Sequence, residues 1–288
     1  MASMRDIKRR KQSVSSTQQI TKAMKLVSTV KLQKARAQAE TTSPYFYAMY
    51  NAVSSMLQKA GNIDNKYLKA NGSDKKAIIV ITSNRGLAGG YNSNVVKLIT
   101  GSDMAKEDCR IYAIGGKGAE SLSAKGYQVV KDYSSIMEAP EYSDAVNICK
   151  EVLNDFVTGQ IGEIHLAYTH FKNTVSQIPT LMQLLPVAID NQDVLEKDNS
   201  GPQTLMTFEP NEERALELII PKYITSLIYG ALVEAVASEN GARMQAMDSA
   251  TNNAEDIISD LSLKYNRARQ GSITQEITEI ISGAEALS

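Results

Sequence analysis

The stretch Met244-Gln-Ala-Met247-Asp-Ser-Ala-Thr251-Asn-Asn-Ala254-Glu-Asp-Ile-Ile258-Ser-Asp-Leu261-Ser-Leu-Lys-Tyr265-Asn-Arg-Ala268 decides the fold. Read in sevens, it sets Met244, Met247, Thr251, Ala254, Ile258, Leu261, Tyr265 and Ala268 at successive a and d positions without a proline, the pattern of a coiled-coil seam. Beyond Ala268 the register slips, and the stripe resumes as Ile273, Ile277, Ile280 and Ile281, as a stutter makes it do. The helix predicted from Pro221 to about Gly283 would run roughly 90 Å at 1.5 Å per residue. Such a helix cannot bury its stripe alone.

Its partner stands at the other end of the chain. Arg5 to about Thr41 contains no Gly or Pro and consists largely of good helix formers. Its apolar positions, Ile7, Val14, Ile20, Met24 and Val27, keep only loosely to one side. Residues 1–40 carry ten Lys/Arg against two acids, and residues 209–288 carry six against thirteen. Opposite charge suits antiparallel pairing, although each exposed pair contributes little. The two ends are expected to form one hairpin-like shaft, with the rest of the chain inserted between them.

The 288 residues hold one large or two ordinary domains, and a hydrophobic content of 43% is ample for a core. A net charge of −1 argues against general affinity for nucleic acid or anionic membrane. Cys109 and Cys149 fit no metal-ligand spacing and suggest a reducing compartment. No run approaches the ~20 apolar residues of a membrane span. The N-terminus has no apolar core for a secretory signal, and its basic character flows into the long helix without a cleavage-like break.

Between the ends, Ser43 reads as an N-cap and Pro44 as the first residue of a second, shorter helix ending near Lys59. At Lys75 the composition changes. Ala77-Ile-Ile-Val-Ile81 is a continuous apolar run, expected of a strand buried on both faces. Helix is predicted at Tyr91–Ile99, Gly118–Ala124 and Tyr142–Val157, and strand at Arg110–Ile114, Tyr127–Val130 and Ile164–Thr169. This alternation indicates an inserted Rossmann-like α/β domain, residues 75–195, with a largely parallel sheet. Val175–Ala188, broken by Pro179 and Pro186, reads as extended chain at a sheet edge. Residues 190–210 read as loop, 211–220 as a lead-in helix, and Pro221 as the start of the long one. The resulting division is 1–60, 75–195 and 211–288.

Chemistry is sparse. Gly115-Gly116-Lys117-Gly118 follows a strand and opens a helix, and Asp132 follows the next strand, as in a dinucleotide fingerprint. The third glycine position holds Ser121, so a plain strand-to-helix turn competes with a dinucleotide-binding enzyme using Gly116–Gly118. Arg85-Gly-Leu-Ala-Gly-Gly90 lacks the Gly-Lys-Ser/Thr ending of a P-loop. His165 and His170 fall on opposite faces of one strand and make no metal pair. The basic cluster Lys8–Lys11 lacks the interleaved aromatics of a single-strand nucleic-acid binder. No catalytic constellation and no cofactor site emerge. The predicted long helix also outruns the first one, so part of its apolar stripe projects unpaired and implies a binding surface.

Ile273-Thr-Gln-Glu-Ile-Thr-Glu-Ile-Ile-Ser-Gly-Ala-Glu-Ala286 resembles the C-terminal signature of the gamma subunits of F-type ATP synthases. Arg5-Asp-Ile-Lys-Arg-Arg10 and Ile20-Thr-Lys-Ala-Met-Lys25 resemble that family's first helix. Ser83-Asn-Arg-Gly-Leu-Ala-Gly-Gly-Tyr-Asn92 is similar to its internal glycine motif, with Asn84 in place of Asp and Ala88 where Cys is common. The resemblance implies a non-catalytic rotor present in single copy. Its terminal helices would form a shaft inside a hexamer of alpha and beta subunits, above an epsilon subunit and a membrane ring of proton-carrying c subunits. It places contacts with beta at Met24, Arg243, Gln270, Thr274 and Glu276. The inserted cysteine pair of chloroplast members is absent. A start at Met1 without a transit peptide suggests a bacterial protein on the cytoplasmic face of the plasma membrane.

Overall fold

The computed structural model describes residues 4–59, 65–69, 71–187 and 212–286. In chain order the elements are α1 (Met4–Lys59), β1 (Lys76–Ile81), α2 (Tyr91–Thr100), β2 (Cys109–Ile114), α3 (Gly116–Ala124), β3 (Gln128–Asp132), α4 (Tyr142–Val157), β4 (Glu163–Phe171), β5 (Gln177–Leu185) and α5 (Glu212–Ala286). The chain divides into two compact units, residues 1–29 with 243–288, and residues 30–242.

The larger unit is built on a five-stranded sheet of order β3-β2-β1-β4-β5. Strands β1 to β4 run parallel, and β5 pairs antiparallel with β4 along the edge, where Pro179 faces Thr169. A strand residue alternates sides, so the apolar run of β1 serves two cores. Ala77, Ile79 and Ile81 meet Tyr112, Leu166, α4 and the Leu216–Ala235 part of α5 on one face. Ile78 and Val80 meet α2 and α3 on the other. Every residue from Ala77 to Ile81 is fully buried.

Two expected helix starts are helix interiors instead. α1 runs unbroken through residues 43 and 44, and α5 likewise runs through Pro221. Proline in a helix interior removes a hydrogen bond and costs about 3 kcal/mol. The bonds lost are those to the carbonyls of Glu40 and Glu217, four residues before each proline. Packing offsets the loss. Val53 and Met56 beyond Pro44, and Ile220, Ile224, Leu227 and Ile228 around Pro221, are buried in the sheet core. At roughly 1.5–3 kcal/mol for each buried side chain, they outweigh the proline. Against the expectation that no run approaches a membrane span, α5 is long and apolar enough for one by length and composition; 61% of that apolar window is buried within the protein, as suits a core helix. The expected loop at 190–210 lies outside the described residues.

The smaller unit is an antiparallel helix pair. Thr21 Oγ1 meets Thr251 Oγ1 at 2.8 Å, and Lys25 Nζ reaches Asp248 Oδ1 at 2.6 Å. Along α5, the eight positions from Met244 to Ala268 assigned to the seam are all buried or half-buried, and most residues between Thr251 and Ala268 off the seam are exposed.

Candidate partner interface

The seam of α1 follows the same steps of three and four: Met4, Ile7, Lys11, Val14, Gln18, Thr21, Lys25 and Ser28 are all at least half-buried. Five of these eight side chains are polar: Lys11, Gln18, Thr21, Lys25 and Ser28. Four large apolar residues of this helix lie off the seam: Ile20, Leu26, Val27 and Val30 are 57–65% exposed. Ile20 and Val27, read from the sequence as seam positions, therefore point outward. Apolarity alone picks out the wrong phase, because the 3–4 spacing set by the strong α5 seam selects the small and polar positions.

The pairing level, Thr21 with Thr251, puts Met4 alongside Ala268. Beyond Ala268 no described residue of α1 lies beside α5, and its last 18 residues extend about 27 Å further. The expected projection is present, with helices of 56 and 75 residues in place of the shorter ones predicted. Ile273, Ile277, Ile280 and Ile281 on this end are 47–72% exposed.

The five residues singled out from the family resemblance fall into two groups. Met24 and Arg243 are half-buried. By the same pairing they lie within about 8 Å of each other along the helix axis. Gln270, Thr274 and Glu276 are exposed on the projecting end, about 40 Å from Arg243. Thr274 Oγ1 donates to the Gln270 carbonyl at 2.9 Å, and Ser272 Oγ reaches Glu276 at 3.4 Å, so these side chains bond within their own helix. The structure does not bring the five together. What it adds is the outward apolar set Ile20, Leu26, Val27 and Val30, whose signal was the mismatch between the best apolar stripe of α1 and the heptad phase.

The dinucleotide reading meets a filled cradle. The Gly116 turn follows β2, whereas ligands in such sheets bind at the switch between β1 and β4. The backbone N–H groups at the start of α3, which would hold a pyrophosphate, are already occupied. Gly116 N donates to Asn84 Oδ1 at 3.0 Å, Lys117 N to the Ser83 carbonyl at 3.0 Å, and Gly118 N to Thr82 Oγ1 at 2.9 Å. Asp132 accepts from Ser134 N at 2.8 Å, closing its own turn. Gly115 has φ +112°, and a Cβ there would sit 2.0 Å from the Thr82 carbonyl oxygen. The glycines thus let the β1 and β2 loops touch each other, not a ligand. The Ser83–Asn92 segment is tied in the same way, with Asn92 Oδ1 accepting from Ser83 N at 2.9 Å. Both thiols are buried, and burial pushes Cys149 up to about 11, far from a reactive thiolate. Among the described residues no cluster of His, Cys, Asp and Glu could hold a metal ion.

One unit is a helix pair that displays apolar surface, and the other is an α/β unit whose glycine turn is closed on itself; together they define a non-enzymatic class of coiled-coil protein with an inserted α/β domain. A family model described as ATP synthase matches residues 3–287. The chain is 66% identical over 290 residues, covering all of both chains, to the ATP synthase gamma chain of Lachnoclostridium phytofermentans. It is 40% identical to the sodium-ion-specific ATP synthase gamma chain of Acetobacterium woodii, over 99% of this chain and 98% of the relative. The fold is that of a chain in the mitochondrial ATP synthase of Euglena gracilis, with a TM-score of 0.71 at 19% identity over 99% of this chain and 94% of that one. A chain in the central stalk/c-ring structure of the Tetrahymena thermophila mitochondrial ATP synthase gives a TM-score of 0.59 at 22% identity, over 80% of this chain and 99% of that one. The chain belongs to the ATP synthase gamma-chain family, the non-catalytic central-stalk subunits of the rotary enzyme.

Proposed function

We propose that this chain is the central rotor shaft of an F-type ATP synthase, coupling ion flow through a membrane ring of c subunits to ATP synthesis and hydrolysis in an alpha–beta hexamer. Full-length identity of 66% to a gamma chain carries this reading. The helix pair supports it, because an apolar outer face and an uncovered helix end suit a surrounding protein sleeve. The shaft is assigned to residues 1–60 and 211–288, and the inserted domain to 75–195, beside an epsilon subunit. One copy serves each complex, on the cytoplasmic face of a bacterial membrane.

Met24, Arg243, Gln270, Thr274 and Glu276 are proposed to contact beta, joined by the outward Ile20 and Val27. Polar side chains on an otherwise apolar bearing can bond to beta loops at one rotational angle and lose those bonds at the next. Each bond contributes about 1 kcal/mol, more if charged, enough to bias a dwell without locking it. The test is reconstitution of the complex with wild-type chain, without it, and with Arg243→Ala or Gln270→Ala. The expected result is assembly with all three chains and lowered turnover or coupling for the variants. Wild-type rates for both variants remove the assigned contacts, and a wild-type chain that fails to couple ion flow to hydrolysis overturns the rotor reading itself.

A further inference from the structure

The first part of α1 contains two candidate seams. The observed one runs Thr21, Lys25, Ser28, and continues in phase as Leu32 and Ala35, which are 3–4% exposed. The other runs Ile20, Ala23, Val27, Val30, with the same steps of three and four, one residue out of phase and therefore about 100° around the helix. By apolar content the second is the better coiled-coil seam, yet it is the one turned to solvent. Two bonds hold the polar seam on α5: the Thr21–Thr251 hydroxyl pair at 2.8 Å and the Lys25–Asp248 ion pair at 2.6 Å, one turn apart. Each threonine also lies within reach of a carbonyl on its own helix, Gln18 and Met247. Lys25 and Asp248 are 40% and 48% exposed, so this pair adds little as a surface salt bridge. Its position matters more than its strength.

We propose that Thr21, Lys25, Asp248 and Thr251 are positioning residues, a latch that keeps the apolar stripe Ile20–Val27 facing outward for the alpha–beta hexamer. The inference rests on the rotor reading above. Without the latch, α1 gains by rolling one residue of phase, absorbed in a single π turn, and burying Ile20 and Val27 against α5. The polar seam is then a device of presentation: it makes the apolar face unavailable to the chain's own partner helix and leaves it for another protein.

Two variants separate this from a role in stability. Asp248→Ala with Thr251→Ala removes both cross-helix bonds and leaves α1 unchanged. Thr21→Val, Lys25→Leu, Asp248→Leu and Thr251→Val together remove the same bonds but make the observed seam apolar, so it stays in place. Phase is read by disulfide formation in the full chain, with Ser28→Cys and Met244→Cys reporting the observed seam and Val27→Cys and Met244→Cys the rolled one. Coupling is read as ions pumped per ATP hydrolysed in the reconstituted complex. The double variant is expected to shift cross-linking toward Val27→Cys by roughly tenfold, the worth of one ordinary hydrogen bond and a weak surface ion pair, and to lower coupling. The fourfold variant is expected to keep the Ser28→Cys cross-link and wild-type coupling. The latch is overturned if the double variant cross-links and couples as wild type, or if the fourfold variant loses coupling while its seam stays in phase. A wild-type chain that does not couple in the same assay fails the rotor reading instead.

Discussion

The α/β unit and the helix pair use apolar surface in opposite ways. In the first, strands β1, β2 and β4 are interior, and the residues from Ala77 to Ile81 have no exposed surface at all. In the second, the buried set shared between the helices is small: Met247, Ala254 and Leu261 on α5 are 4–7% exposed, opposite Thr21 and Ser28 on α1. The larger aliphatic side chains, Ile20, Val27, Ile277 and Ile280, face outward. Helical stability in proteins comes mainly from packing of a buried face. The α/β unit therefore stabilises itself, and the helix pair holds back much of its apolar surface for another protein. Local stability should divide the same way.

The sharpest test lies in the α/β unit. Gly115→Ala forces a side chain into a left-handed backbone and 2.0 Å from the Thr82 carbonyl oxygen. A loss of at least about 3 kcal/mol is expected, read as the urea midpoint of the full chain. Gly116→Ala, one residue on, meets nothing closer than 3.7 Å. It should change stability by less than about 1 kcal/mol and leave coupling in the complex intact, as should Asp132→Ala. Nucleotide affinity lost from a folded Gly116→Ala chain would reopen the cradle that Asn84, Ser83 and Thr82 now fill.

Truncations set the two regions directly against each other. Ile79→Ala should cost about 2–5 kcal/mol, the range for a large side chain deleted from a packed core. Ile277→Ala, at a residue 51% exposed, should leave the melting of the free chain unmoved and lower activity only in the complex. Comparable destabilisation of the free chain by both would mean that the projecting end is packed after all.

Amide exchange of the free chain sharpens the same contrast without mutation. Slow exchange is expected across Ile78–Ile81, and fast exchange from Ile273 onward, where no described residue of α1 stands alongside. Equal protection in the two segments would break the comparison.

Much of this was legible in the sequence. The heptads from Met244 to Ala268 stand out because Met, Ile and Leu repeat against charged neighbours, and all eight positions are seam positions in the structure. The apolar run of β1 announced a strand with two covered faces. Pro44 and Pro221 misled because a proline is a local signal, and the cores built by Val53, Met56, Ile220 and Ile224 override it over a longer range. The α1 seam was hidden for another reason. Its phase is imposed by the partner helix, and a reader ranking apolar residues within one helix finds Ile20 and Val27 instead. The dinucleotide turn was ambiguous for want of a partner too. Whether glycine N–H groups face a ligand or the next loop depends on Thr82 and Asn84, more than thirty residues away.

The smallest expected effect concerns pH at the rim of the α/β unit. Glu151 on α4 accepts from Lys131 Nζ at 2.5 Å and from the Tyr133 hydroxyl, drawing the edge strand β3 and its following turn onto the helix. Lys131 first, and the Tyr133 hydroxyl second, hold the carboxyl below the ordinary glutamate range. A group with a lowered folded pKa binds its proton more weakly when folded. Its contribution is therefore complete above the ordinary carboxylate range and is lost as pH falls through the lowered value. The same bond raises Tyr133, after burial, so the hydroxyl's share persists through neutral pH and is lost only in strong alkali. The Glu151 side chain is 37% exposed, and solvent screening limits the whole effect to about 1 kcal/mol or less. Glu151→Gln keeps the shape and removes the charge. Urea midpoints from about pH 7 down to pH 3 should fall less steeply for this variant than for the wild type, with the two curves converging at the acid end. Parallel curves would mean that the ion pair is spent on solvent. The edge strand would then rest on its backbone pairing with β2 alone.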